Sequence, residues 1–88
     1  MFGPKEYITI NVKLYSGLDH QAKINHYDPD AGIELAIAKG ARLKKVFKLV
    51  GLSAHESIAG FINGKKAGPG ERLKDGDVVY FMKPVSGG

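Results

Sequence analysis

From Tyr7 to Tyr15 apolar and polar side chains alternate. Ile8, Ile10, Val12 and Leu14 fall on one side; Tyr7, Thr9, Asn11, Lys13 and Tyr15 fall on the other. A period of two sustained over this stretch predicts a strand with one face buried. Ile33-Glu34-Leu35-Ala36-Ile37-Ala38 alternates again and is expected to pair with it. Between the two, residues 16–30 show no period, and Gly17, Asp19, Asn25 and Asp28-Pro29-Asp30 mark a long loop. A loop of that length in so short a chain is a candidate binding or lid element.

After Gly40-Ala41 the period changes. Leu43, Val46, Phe47 and Val50 recur at i, i+3, i+4 and i+7, an apolar helical stripe, with Lys44, Lys45 and Lys48 on the opposite side. Gly51 stands where a left-handed residue would end the helix, but no Ser, Thr, Asp or Asn marks its start. Ile58 to Ile62 reads as a third strand, Asn63-Gly64 as a two-residue hairpin turn, and Lys65-Lys66-Ala67 as a short return strand guarded by lysines. Gly68-Pro69-Gly70 interrupts it, Leu73 is a single apolar anchor, and Asp75-Gly76-Asp77 turns into a last strand over 78–82. Strands grouped around one helix predict an α+β domain, the helix packed on one sheet face. Val79 and Phe81 are expected to face that helix. Val78, Tyr80 and Met82 then form an apolar outer stripe, a candidate partner surface, unless the 16–30 loop covers it or the register is shifted by one.

With 88 residues the chain is expected to form one domain, residues 1–88, with a flexible beginning over 1–6. There is no cysteine, so no side-chain thiol can act as nucleophile or soft-metal ligand. The formal charge of +4 is modest, and the Lys44, Lys45, Lys48 group reads as a solvated helix face, so no nucleic-acid partner is expected. Met1 to Glu6 lacks the pattern of a secretory leader, and no apolar run is long enough to span a bilayer; a cytoplasmic protein with no membrane partner is expected. His26-Tyr27-Asp28 with Asp30 could imitate a metal site, but the composition is that of a polar turn, and no metal is expected. Ser53 and Ser57 have no histidine and acid arranged beside them as a triad, and the glycines match no nucleotide-binding spacing.

The chain ends in Ser86-Gly87-Gly88. With 12 glycines in the chain this dipeptide alone carries little weight. Its position carries more, because only Lys83-Pro84-Val85-Ser86 separates it from the apolar run of the last strand. Two residues without Cβ can enter a narrow slot or lie flat against another backbone. The group left to react is then the main-chain carboxylate, and the tail over 83–88 is the candidate functional element. Residues Lys83 to Gly88 can reach about 20 Å when extended.

The order of elements, together with Phe61-Ile62-Asn63-Gly64-Lys65-Lys66 and the run from Leu73-Lys74-Asp75-Gly76-Asp77 through Pro84-Val85-Ser86-Gly87-Gly88, resembles the β-grasp (ubiquitin-like) sulfur carriers. These are the small subunit of molybdopterin synthase and the thiamine-pathway sulfur carrier. The resemblance covers roughly Tyr7 to Gly88, and Arg42 departs from it where the family often has Thr. It implies a mixed four- to five-stranded sheet with one main helix on one face. It also implies that Gly88, preceded by Gly87, is adenylated and converted to a thiocarboxylate that donates sulfur. On that view the chain is a carrier or co-substrate and not itself an enzyme. It binds no cofactor, the ATP being used by a ubiquitin-activating-type adenylating enzyme. The sulfur-accepting partner would be the large subunit of molybdopterin synthase or a thiazole synthase, the long first loop and the Pro84-Val85 tail favouring the former. Val78, Tyr80, Met82, Lys83, Pro84, Val85 and Ser86 are the implied partner contacts. A thiamine-pathway carrier, a ubiquitin-like modifier joined to lysines through Gly88, and a plain interaction domain stay open.

Overall fold

In the computed structural model of the chain, residues 6–15, 17–18, 27–52 and 58–83 are described. Five strands and one helix follow the order β1 (Tyr7–Leu14), β2 (Ile33–Ala38), α1 (Leu43–Leu49), β3 (Ala59–Ile62), β4 (Lys65–Ala67) and β5 (Val78–Met82). They form a single mixed sheet in the order β2-β1-β5-β3-β4. β1 and β5 are parallel neighbours at its centre, and the other pairings are antiparallel. This is the α+β arrangement that the sequence pattern predicts and the β-grasp sheet that the resemblance implies, with five strands.

Alternation becomes burial because the helix covers one face only. Ile8, Ile10, Val12 and Leu14 of β1, Ile37 of β2 and Val79 and Phe81 of β5 lie in one buried cluster with Leu43, Val46, Phe47 and Val50 of the helical stripe. Phe47 and Phe81 meet with ring centroids 4.5 Å apart, a tilted pair that joins helix to sheet. Gly60 marks the closest approach. A Cβ there would come within 2.8 Å of Leu43 Cδ2 and 3.4 Å of Phe81 Cε1.

Both ends of α1 are settled by backbone groups. At its C-terminus Gly51 adopts φ +79°, its N–H donates to the Lys48 carbonyl at 3.2 Å, and Leu52 N–H donates to the Phe47 carbonyl at 2.9 Å. This pair of bonds is a Schellman motif, and Leu52 is buried beside it. At the N-terminus Arg42 makes no side-chain cap. Instead the N–H groups of Leu43 and Lys44 donate to the carbonyls of Glu71 and Pro69, at 2.8 and 2.9 Å. The missing cap signal is thus replaced by the 68–72 segment, remote in sequence, which accepts donors that the helix itself leaves orphaned.

The two short motifs of the second half are tied together. Asn63 and Gly64 both have positive φ, 52° and 84°, as a type I′ turn requires. The Asn63 side chain donates from Nδ2 to Asp77 Oδ1 and accepts the Val78 N–H at Oδ1, both at 2.9 Å. Asp77 Oδ2 accepts the Lys74 N–H at 2.8 Å, and Asp75 Oδ1 accepts the Thr9 N–H at 2.8 Å. Asp75-Gly76-Asp77 is therefore a turn whose carboxylates fasten the hairpin on one side and β1 on the other.

Two described residues of the 16–30 stretch are tied to the body. Leu18 is fully buried in the core cluster and Tyr27 packs against it. The β1–β2 pairing ends at Val12 and Ile33, and two residues on the Tyr27 hydroxyl accepts the Leu14 N–H at 2.8 Å. Residues 19–26, within the candidate binding or lid element, lie outside the described residues, as does the beginning over 1–5.

Replacing Gly60 by Val would force Leu43 and Phe81 apart and is expected to lower unfolding stability by about 1–3 kcal/mol. Urea denaturation followed by circular dichroism measures it; an unchanged midpoint would show that the helix does not press on β3 at this point.

Candidate functional site

The register of the sheet decides which side chains share its uncovered face. Tyr80 is the partner of Phe61 on β3 and of Lys13 on β1, and Phe61 is the partner of Lys66 on β4. A row Lys66, Phe61, Tyr80, Lys13 therefore crosses four strands on the face opposite the helix, an apolar centre between two cations. Beside it Met82 pairs with Ala59, and Val78 with Asn11. Phe61, Val78, Tyr80 and Met82 are all half-buried, whereas Val79 and Phe81 are fully buried. The register shifted by one is thereby excluded, and Val78, Tyr80 and Met82 stand on the outer face as expected.

Tyr15, just past the end of β1, stacks on Tyr80 with centroids 5.9 Å apart and ring planes 12° from parallel. Tyr15 remains 41% exposed, so the stack widens the apolar patch and does not close it. Lys83 follows Met82 directly and is exposed. The two described side chains of the 16–30 stretch that reach the body, Leu18 and Tyr27, pack with the core and not on this patch.

Phe61 is the residue that sequence reasoning left out. Alternation cannot place it, because the third strand carries apolar side chains at both parities, Phe61 and Ile62. The available signal was that both cannot face the core at once. Only the β3–β5 register assigns Ile62, partner of Val79, to the covered side and Phe61 to the open one.

Of the candidate residues, the structure brings Val78, Tyr80 and Met82 to one face of the sheet, with Lys83 directly after the end of β5. Pro84, Val85, Ser86, Gly87 and Gly88 lie outside the described residues, as do Ser53, Ser57 and His26. Among the described residues no group of His, Cys, Asp and Glu could hold a metal ion. No helix among them is long and apolar enough to cross a membrane. What the described side chains form is an apolar face with a cationic border, beside which β5 ends at Met82.

The model of the ThiS family matches residues 22–88, through the final diglycine. No curated protein matches the chain. Among solved structures, SAMP1 from Haloferax volcanii is similar at a TM-score of 0.67 and 22% identity, over 91% of this chain and 99% of that one. A protein from Pyrococcus furiosus described as molybdopterin converting factor, subunit 1, is similar at a TM-score of 0.67 and 22% identity, over 89% and 99%. At this identity the two structures speak for the fold.

The Tyr15–Tyr80 stack is expected to couple the two residues by about 0.5–1 kcal/mol. A double-mutant cycle of Tyr15→Ala and Tyr80→Ala in urea denaturation reads that coupling, and a value near zero would mean that the rings sit side by side without contributing to the patch.

Proposed function

We propose that this chain, which belongs to the ThiS family, carries sulfur as a thiocarboxylate on Gly88 and delivers it in the biosynthesis of a sulfur-containing cofactor. The observation that supports the reading best is the joining of a diglycine end to the central strand of the sheet within a family match that reaches Gly88. A carboxylate resists nucleophilic attack because its charge is delocalised and repels the nucleophile. In the proposed sequence a Gly88 carboxylate oxygen attacks the α-phosphorus of ATP in the active site of an adenylating enzyme, and pyrophosphate leaves. Hydrosulfide then attacks the carbonyl carbon of the acyl adenylate, AMP departs with the bridging oxygen, and the C–S bond of the thiocarboxylate remains.

The part of this chain is positional. Phe61, Tyr80 and Met82 seat the sheet against the partner, and Gly87 and Gly88 enter its active site at a fixed distance from that seat. Pro84 restricts its own φ and favours an extended Lys83, which lowers the entropy lost when the tail inserts. Val85 and Ser86 line the partner's channel. The accepting enzyme is the large subunit of a molybdopterin synthase. The long first loop and the Pro84-Val85 tail favour that branch over the thiamine pathway.

Incubating the chain with an adenylating enzyme of this class, ATP and sulfide should raise its intact mass by the exchange of one oxygen for one sulfur. Removing Gly87 and Gly88 should abolish the gain. Slowly migrating lysine conjugates in place of the thiocarboxylate would overturn the carrier reading in favour of a protein modifier. A charge at the seat, Tyr80→Glu, is expected to cut the rate of thiocarboxylate formation by about tenfold or more while the fold is retained, since it buries an unpaired carboxylate at the contact.

A further inference from the structure

The β3–β4 hairpin and the segment that returns from it enclose a surface depression of about 370 Å³. It lies by Asn63 and Asp77, at the start of β5, and therefore at the end of that strand opposite the one from which the tail departs. Its lining includes four cations, Lys65, Lys66, Arg72 and Lys74, and two acids, Glu71 and Asp77. Both carboxylate oxygens of Asp77 are already engaged, by Asn63 Nδ2 and the Lys74 N–H. Among the described residues none of the four cationic heads has an ion-pair or hydrogen-bond partner. Set against the two acids, the four cations leave the lining a formal net charge of +2, and a concavity holds that positive potential better than a convex surface, because the low-dielectric walls focus the field.

We propose that this depression is a second docking site, which takes an extended acidic segment of a partner protein. Three features select that occupant. The lining holds no aromatic ring, so there is no platform on which a nucleic-acid base could stack. The Lys74 N–H, a backbone donor in the lining, is committed to Asp77, so it is not free for the kind of backbone nest that holds a phosphate. The cations are instead spread along β4 and the segment facing it, and β4 is the edge strand of the sheet, open along one side to an extended chain. Carboxylates spaced along such a chain meet Lys65 on one side and Arg72 and Lys74 on the other, with Lys66 at the rim on the opposite face of β4. The site does not depend on the chemistry of Gly88. A partner that held both the tail and this depression would grip β5 at its two ends and fix the carrier's orientation.

Titration of the full chain with hexaglutamate, followed by amide NMR at low salt, tests the proposal. Saturable shifts at Lys65, Lys66, Arg72 and Lys74 that fade as salt is raised are expected. Lys65→Ala with Lys74→Ala should weaken binding by about tenfold at an unchanged melting temperature. Lys44→Ala with Lys48→Ala, which removes equal charge from the convex helix face, should leave binding intact. Shifts that follow the helix lysines equally, or no saturable shifts at all, would overturn the site and leave Lys65 and Lys66 as guards of the sheet edge. Equal shifts from inorganic phosphate at the same concentration would also overturn it, in favour of a small-anion pocket.

Discussion

The parallel pairing of β1 with β5 is the constraint on which the rest of the molecule depends. It joins Asn11–Leu14 to Val78–Phe81, near opposite ends of the chain, and an antiparallel hairpin could not make such a connection. Once formed, it places the last strand at the centre of the sheet. Val79 and Phe81 then face the helix, and Val78, Tyr80 and Met82 face outward from a strand paired on both sides over Val79–Phe81. The entropy of closing so long a loop is offset by the apolar area the two strands bury beneath α1. The turn at Asp75-Gly76-Asp77 helps to set the register, since Asp75 and Gly76 exchange hydrogen bonds with the backbone of Thr9 just before the ladder begins.

The helix is held by the same remote segment that leads to that ladder. With seven residues it is too short to be stable alone. Its stripe sits on the sheet, Gly60 lets it come close, and the carbonyls of Pro69 and Glu71 receive its first N–H groups. A segment with little regular structure of its own, 68–74, thus caps the helix, anchors Leu73 in the core and leads into β5. A change there would be felt at both the helix and the central strand.

The proposed function divides two tasks that an enzyme active site normally combines. On that reading recognition belongs to a face assembled from β1, β3 and β5, and chemistry to a main-chain carboxylate beyond it. Such a division suits a carrier, because one platform can present the same end to successive partners. The cationic depression at the far end of β5, as proposed, adds a second point of contact, with charge where the first has apolar surface.

Alternation from Tyr7, the helical stripe from Leu43, the Asn63-Gly64 turn and the left-handed Gly51 each declare a local structure, because period and backbone conformation are local properties. From them the strands, the helix and the inward positions of Val79 and Phe81 could be read directly, and the outward place of Tyr80 followed. Leu18 could not be found in this way, since a single apolar residue in a polar stretch has no period. Nor could the cap of α1, whose partners lie in the 68–72 segment, or the place of Phe61, whose strand has apolar residues at both parities. Strand order, and with it the meeting of Lys66, Phe61, Tyr80 and Lys13 in one row or of four cations around one depression, depends on contacts between residues far apart along the chain. Those contacts are chosen by packing the whole core at once, so the sequence by itself determined the elements and the chemical character of the chain end, and only the tertiary structure decided which side chains became neighbours.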